Sequence, residues 1–507
     1  MFYSNIAFFI ERSQIKMAEE NIRSQVLSGT KWNAIANFSK QGVSFCLSIV
    51  LARLLMPEEF GLLAMIAIFT NVAQLFVSAG LGSALIQKKD CTNDDYSTVF
   101  YFNIVVSLFF YMVLFFTAPL IARFYNQPIL VSLVRWSSLS LLIGALGMVQ
   151  QTIFYKELKF KLTSIISIVA AVVSAVVGIT MALLGCGVYA LVGQMLASMF
   201  VSTIIVWVIS SWRPQLIFSK KSFKELFGFG SKLLASGLLE TIYSSIDSLL
   251  IGKIFSAELL GFYTRAKSTK DLPINNTTSL IASTLFPIFS KITDDAKLAD
   301  VSVKIYSLFA YIVLPLMAGL IVVAAPFIEV LYSAKWLPAT SYLQIICVSG
   351  VVYPLSLVLC QVILAKGASG VFFILEIWKK VVGTIAMLIG LCFGIESFLW
   401  ALNIGLFLAL LLNIYYVAKV IPISKKNYIL SLLPSLLLSI FMMLIVFVVG
   451  KVVHTQALIQ LVIMCSVGVV VYISASRVFR IKEYFYIEQI ITDWFKSKFL
   501  CKRVKSQ

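Results

Sequence analysis

Stretches of about 20 residues with almost no charge follow one another along nearly the whole chain, joined by short polar connections. That length is what an α-helix needs to cross the hydrocarbon core of a bilayer. About fourteen such spans can be drawn. Those used below are span 1 at 33–55, span 2 at 60–86, span 7 at 228–252, span 8 at 258–288 and span 11 at 369–393. Backbone groups in lipid must find partners within their own segment, so the spans are expected to be helices. A membrane barrel would show segments of about ten alternating residues, and none is visible. Only 13% of the 507 residues are charged and 60% are hydrophobic, against roughly a quarter charged in a soluble domain. The expected fold class is an all-α polytopic membrane protein.

The formal net charge of +18 would suggest nucleic acid as the partner of a soluble chain. Here the basic residues sit between apolar spans, which argues for orientation in the membrane and against a nucleic-acid partner. With the N-terminus placed in the cytoplasm, the inner connections collect Lys88, Lys89, Lys156, Lys159, Lys161, Arg213, Lys220, Lys221, Lys224, Lys425 and Lys426 among others. The outer ones hold only Arg53, Arg123, Lys253, Lys335 and Lys451. Both termini are therefore expected on the cytoplasmic side of a bacterial inner (plasma) membrane. Residues 1–30 read as a cytoplasmic lead-in without the basic start of a cleavable signal, and either Met1 or Met17 can be the true start. Residues 477–507 read as a basic amphipathic tail in which Ile481, Tyr484, Phe485, Ile487, Ile490, Ile491, Trp494 and Phe495 recur at helical spacing. The eight cysteines are scattered with no CxxC, and His454 is the only histidine, so no metal or disulfide framework is expected.

The chain also repeats itself. Leu51-Ala-Arg-Leu-Leu-Met-Pro-Glu-Glu-Phe-Gly61 matches Ile251-Gly-Lys-Ile-Phe-Ser-Ala-Glu-Leu-Leu-Gly261. Gly29-Thr-Lys31 matches Gly230-Ser-Lys232, and Ala118-Pro-Leu-Ile-Ala-Arg-Phe-Tyr125 matches Ala325-Pro-Phe-Ile-Glu-Val-Leu-Tyr332. Six spans separate equivalent points, an even number, so both copies face the same way. Such copies are related by an axis along the membrane normal, with substrate expected near the midplane between them. The expected domains are an N-lobe at 31–212 with spans 1–6, a C-lobe at 213–425 with spans 7–12, and two extra helices at 426–476.

The run Leu51 to Met65, the segment Gly80-Leu-Gly-Ser-Ala-Leu-Ile-Gln87 and Lys335-Trp-Leu-Pro-Ala339 resemble motifs of polysaccharide transport family flippases. The resemblance extends from about residue 27 to about residue 480. It is closest to Wzx-type exporters of exopolysaccharide, teichuronic acid or lipopolysaccharide units, in the superfamily that also holds the multidrug MATE exporters and the lipid II flippase. It implies two six-helix lobes around a V-shaped cavity lined by helices 1, 2, 7 and 8, with alternating access. It implies undecaprenyl-pyrophosphate-linked oligosaccharide as substrate, with membrane lipids, a polysaccharide polymerase and chain-length proteins as partners.

A charge near the bilayer centre costs several kcal/mol, so one that is retained normally faces a cavity or a partner. The candidates are Lys40 in span 1, Glu240 and Asp247 in span 7, Arg265, Lys267, Lys270 and Asp271 in span 8, and Glu376, Lys379 and Lys380 in span 11. Span 8 also carries Pro273, Asn275, Asn276, Thr277 and Thr278, too polar to face lipid. A pyrophosphate needs Lys or Arg donors, which selects Lys40, Arg265, Lys267 and Lys270 as the substrate-binding set. Lys267 and Lys270 share a helical face; Arg265 need not. Glu240 and Asp247 lie two turns apart on one face. They either carry a coupling proton or sodium ion or neutralise Lys40 or Arg265, and simple charge pairing between helices is the duller account of all these residues. No catalytic residue, cofactor or metal is expected. No GxxxxGK[ST] is present, and no loop is long enough for a transferase domain. The alternatives are a MATE-like exporter, whose cavity should be acidic, and a lipid II-type exporter.

Overall fold

The computed structural model describes residues 41–453, 455–489 and 492; Lys40 lies outside the described residues. Its described elements are helical throughout: α1 (Gln41–Leu54), α2 (Pro57–Ser78), α3 (Leu81–Gln87), α4 (Asn93–Tyr125), α5 (Leu130–Ser137), α6 (Leu139–Lys156), α7 (Phe160–Leu183), α8 (Tyr189–Ile209) and α9 (Lys220–Ile254). They continue with α10 (Ala257–Ser290), α11 (Asp295–Tyr332), a short 3-10 turn at Ala334–Trp336, α12 (Ala339–Val348), α13 (Val352–Ala365), α14 (Ser369–Leu391), α15 (Ile395–Val420), α16 (Lys425–Val452) and α17 (Ala457–Val478). Among the described residues, eleven helices are long and apolar enough to cross a membrane. The consecutive pairs α2–α3, α5–α6 and α12–α13 each count there as one span. Helices α1, α10 and α14 stand where the other three expected spans fall: α1 is a shorter apolar helix, while α10 and α14 each carry several charges.

Local chemistry sets the helix ends. Pro57 opens α2 at a position where a missing N–H costs nothing. Thr92 caps α4, accepting from the Asp95 N–H at 3.3 Å, and the Asp95 carboxylate accepts from the Thr92 N–H at 2.9 Å. Ala79 and Gly80 both adopt the left-handed conformation, which breaks the second span into α2 and α3. Lipid and protein faces then separate by helical period. On α4, Val105, Phe109, Met112, Phe116 and Leu120 form one exposed stripe, while Leu114, Ala118, Ile121 and Tyr125 are buried.

The chain divides into two compact units, residues 1–261 and 262–507. In the first, α7 packs along α8 and α4 along α6, and α9 packs on α2, α3 and α4. The residues before α9 are pinned to α4: the Gln215 N–H donates to Ser97 Oγ at 3.1 Å and the Ser219 N–H to Thr98 Oγ1 at 3.0 Å. Lys88 bridges the buried Asp95 and Glu225 of α9, each at 3.1 Å. Burial opposes the Lys88 ammonium, but its hydrogen bonds to the two carboxylates outweigh that and hold its pKa above the ordinary lysine value. Gly80 meets Gly230 so closely that a Cβ there would lie 2.6 Å from the Gly230 carbonyl oxygen. At the other end of α9, Lys253 donates to the Phe124 carbonyl and lies over its ring at 4.7 Å.

One contact in this unit joins repeat-equivalent positions. A Cβ built at Gly61 would run into the Ala257 carbonyl oxygen, and one at Gly261 into the Pro57 carbonyl oxygen. Pro57 and Ala257 are themselves equivalent in the repeat. The starts of α2 and α10 thus cross reciprocally, backbone on backbone, as small residues permit in membrane helices.

The second unit packs α14 on α15 and α11 on α16 and α17. Hydroxyls pin its helices together. Tyr311 Oη and Ser476 Oγ lie 2.7 Å apart, the Tyr472 hydroxyl donates to the Tyr311 carbonyl at 2.8 Å, and Ser302 meets Tyr428 at 2.6 Å. The segment 482–489 is helical, and Tyr484 and Ile487 pack on the α11–α16–α17 cluster. Between them runs an apolar groove of about 560 Å³ lined by Pro315, Leu316, Met442, Gly468, Tyr472 and Ile487. Its lining is mostly apolar, with Glu488 and Thr492 at the tail, and includes none of the intramembrane lysines.

Candidate functional site

Helix α10 concentrates the charge, and its geometry sorts that charge into two faces. At about 100° per residue, Arg265 and Thr269 fall together, and Lys267 and Lys270 fall on the opposite side. The two faces have different surroundings. Arg265 is 7% exposed, and its guanidinium stacks over the rings of Tyr332 at 4.9 Å and Trp336 at 5.2 Å. Thr269 Oγ1 donates to the Arg265 carbonyl at 2.9 Å and lies 3.0 Å from the Tyr332 hydroxyl. A planar cation between aromatic faces is held as packing, through its rings as much as its charge. Arg265 is therefore built into the second unit, against the end of α11 and the turn that follows it.

Lys267 and Lys270 are both half-buried. The Lys267 ammonium lies 5.6 Å from the Tyr263 ring centre, and Lys270 pairs with Asp271 at 3.1 Å. Two adjacent ammonium groups on one face can hold a compact dianion such as a pyrophosphate by charge-assisted hydrogen bonds. Arg265 does not join them on that face.

The acidic pair on α9 is likewise uneven. Glu240 is exposed, whereas Asp247 is 8% exposed and its Oδ1 accepts from the Ser248 N–H at 2.7 Å and the Ser248 hydroxyl at 3.3 Å. Both belong to the first unit; Lys267 and Lys270 belong to the second. On α14, Glu376 and Lys379 pair within one turn at 2.6 Å. Among the described residues, no group of three or more His, Cys, Asp or Glu side chains is placed to hold a metal.

Tyr332 and Trp336, the ring cradle of Arg265, escape a search for intramembrane charge. A signal for them does exist. Tyr332 closes the third repeat match opposite Tyr125, and Trp336 lies in the Lys335-Trp-Leu-Pro-Ala339 segment. In the first unit Tyr125 meets the Phe69 ring edge-on at 6.4 Å, and Phe69 is the repeat equivalent of Thr269. The same helix pairs meet through the same positions in each copy, with a ring contact in one and a hydrogen bond in the other.

Residues 50–341, more than half of the chain, match the family model described as polysaccharide biosynthesis protein. Among curated relatives, the teichuronic acid biosynthesis protein TuaB of Bacillus subtilis (strain 168) is 27% identical over 461 residues, covering 89% of this chain and 95% of that protein. The lipopolysaccharide biosynthesis protein WzxC of Escherichia coli (strain K12) is 26% identical over 448 residues, covering 86% and 90%. The succinoglycan biosynthesis transport protein ExoT of Rhizobium meliloti (strain 1021) is 25% identical over 373 residues, covering 73% and 75%. Among solved structures, the lipid II flippase MurJ in an inward closed conformation superposes with a TM-score of 0.72 at 16% identity, covering 88% of this chain and 98% of that one. An inward-facing multidrug resistance MATE family transporter of the MOP superfamily superposes at 0.57 with 17% identity, covering 75% and 94%. At these identities the structural likeness speaks to the fold.

Proposed function

This chain belongs to the polysaccharide biosynthesis protein family, and from that premise we propose that it is a flippase for undecaprenyl-pyrophosphate-linked oligosaccharide. It moves the repeat unit from the cytoplasmic to the outer leaflet of the plasma membrane by alternating access, for surface polysaccharide biosynthesis. The observation that carries the chemistry is the lysine face of α10. Lys267 and Lys270 stand side by side on a helix of spanning length, half-buried and clear of the packed Arg265 face. Lysines in a membrane helix are costly unless they face a cavity, a partner or an anion, and a lipid pyrophosphate is the dense anion that such a substrate carries. Relatives named for teichuronic acid, lipopolysaccharide and succinoglycan biosynthesis support a polysaccharide building block as the cargo. Asp247, the more buried carboxylate of α9, is the better placed of the two acids for a coupling proton or cation. Both termini lie in the cytoplasm, and polymerase and chain-length proteins take up the product.

The test is genetic and chemical. In cells lacking the gene, lipid-linked oligosaccharide should accumulate on the inner leaflet. Wild type should clear it, and Lys267→Ala/Lys270→Ala should not. Full clearance by the double variant would remove the lysine face from the mechanism. A MATE-like drug exporter would leave the glycolipid pool untouched on deletion.

A further inference from the structure

The connection between α8 and α9 has features that transport of a head group does not use. Residues 210–219 are irregular backbone, yet they are held firmly. Besides the two hydrogen bonds to the buried hydroxyls of Ser97 and Thr98, the Trp212 ring packs against Tyr96 and Phe100, each at 6.0 Å. The Arg213 guanidinium donates to the Trp207 carbonyl at 3.0 Å and the Trp212 carbonyl at 2.9 Å, and stacks on the Trp207 ring at 5.5 Å. Between these anchors three consecutive apolar side chains stand out of the protein: Leu216 is 93% exposed, Ile217 41% and Phe218 51%. Directly after them, Lys220, Lys221 and Lys224 are all exposed on the first turns of α9. The acid beside them, Glu225, is already paired with Lys88.

A run of exposed apolar residues in a loop facing water is unfavourable. The same run becomes favourable at the head-group boundary of a bilayer, where apolar side chains enter the acyl region and lysines reach phosphates. The loop carries Trp212 and follows the last turn of α8, which carries Trp207, and tryptophan is enriched at that depth. We propose that the α8–α9 connection is a lipid-binding surface whose partner is the anionic cytoplasmic leaflet: Leu216 and Phe218 insert among acyl chains while Lys220, Lys221 and Lys224 bind lipid phosphates. Because the loop is pinned to α4 beforehand, little ordering opposes binding. The proposal rests on the membrane placement alone and stands or falls separately from the lysine face of α10.

The test uses the full-length protein in nanodiscs of phosphatidylcholine alone and of phosphatidylcholine mixed with phosphatidylglycerol, read by hydrogen exchange over residues 211–224. Each lysine near an anionic surface changes partitioning about fivefold, so several-fold slower exchange is expected with phosphatidylglycerol. The difference should shrink as salt rises. Lys220→Gln/Lys221→Gln/Lys224→Gln should erase the dependence on phosphatidylglycerol and leave exchange elsewhere unchanged. Leu216→Ser/Phe218→Ser should speed exchange in both lipids. Equal exchange of the wild type in the two lipids would overturn the proposal, as would a phosphatidylglycerol effect that survives the triple variant.

Discussion

Helices α2 and α10 are the same element in two copies, 200 positions apart, and they have been put to different uses. Their burial runs in phase: Gly61 and Gly261, Leu62 and Phe262, Met65 and Arg265, Ile66 and Ala266 are all buried. Positions 67 and 267, and 70 and 270, are all half-buried, but their chemistry differs, and Ile68 is buried where Ser268 is exposed. Ala67 faces Lys267 across the repeat, and Thr70 faces Lys270. The first copy kept an apolar helix; the second placed two cations where packing already left the side chains outside its unit's core. Arg265 is the contrasting case, a cation at a core position, and there the protein supplied two aromatic rings to hold it.

The largest effect should come from removing what only α10 has. Lys267→Gln/Lys270→Gln should cut transport about a hundredfold or more, since each charge-assisted contact is worth about 1.5–3 kcal/mol. Thermal melting should stay near wild type, because neither side chain is in the core. Next comes what the two helices share. Gly61→Leu should lower stability by about 1–3 kcal/mol or more, because the carbonyl of Ala257 occupies the space required. Gly319→Leu, where nothing lies within 4 Å, is the control for adding a leucine to a membrane helix.

Arg265→Met then asks whether α10 can take the residue α2 uses. Replacing a buried charge by a well-packed apolar side chain is often nearly neutral, so melting should fall by no more than about 1.5 kcal/mol. Arg265→Ala, which empties the ring cradle, should cost more. The smallest effect is expected at Glu225→Gln, under about 1 kcal/mol, since Glu225 is largely exposed. Lys88→Gln should cost more, because it leaves the buried Asp95 without its ammonium. With its pKa raised by these partners, Lys88 stabilises the fold throughout neutral pH. That contribution is lost only as pH climbs through the raised value, so melting between neutral pH and the ordinary lysine range should show no step from this cluster.

Much of this was legible in the sequence because the membrane makes patterns blunt. Span positions follow from length and charge alone, and the repeat placed Gly61 opposite Gly261 before any contact between them was visible. The helices overrun the apolar windows by a turn or more, as α9 does from Lys220 to Ile254, because charged flanks outside lipid remain good helix formers. The direction of a side chain was less legible. Spacing put Lys267 beside Lys270 and left the direction of Arg265 open, and nothing in a charge inventory names Tyr332 and Trp336 as its neighbours. Glu240 and Asp247 share a face by spacing but differ in burial, because burial depends on what packs against each turn. The pinning of the α8–α9 connection depends on the hydroxyls of Ser97 and Thr98, more than a hundred residues upstream, and no local pattern announces it.

The sharpest measurement is the affinity of the purified protein for an undecaprenyl-pyrophosphate-linked oligosaccharide, wild type against Lys267→Ala/Lys270→Ala, at low and high salt. A cationic face on α10 predicts strong, salt-weakened binding in the wild type and a loss of about tenfold or more in the variant. Equal affinities and equal salt dependence would contradict it.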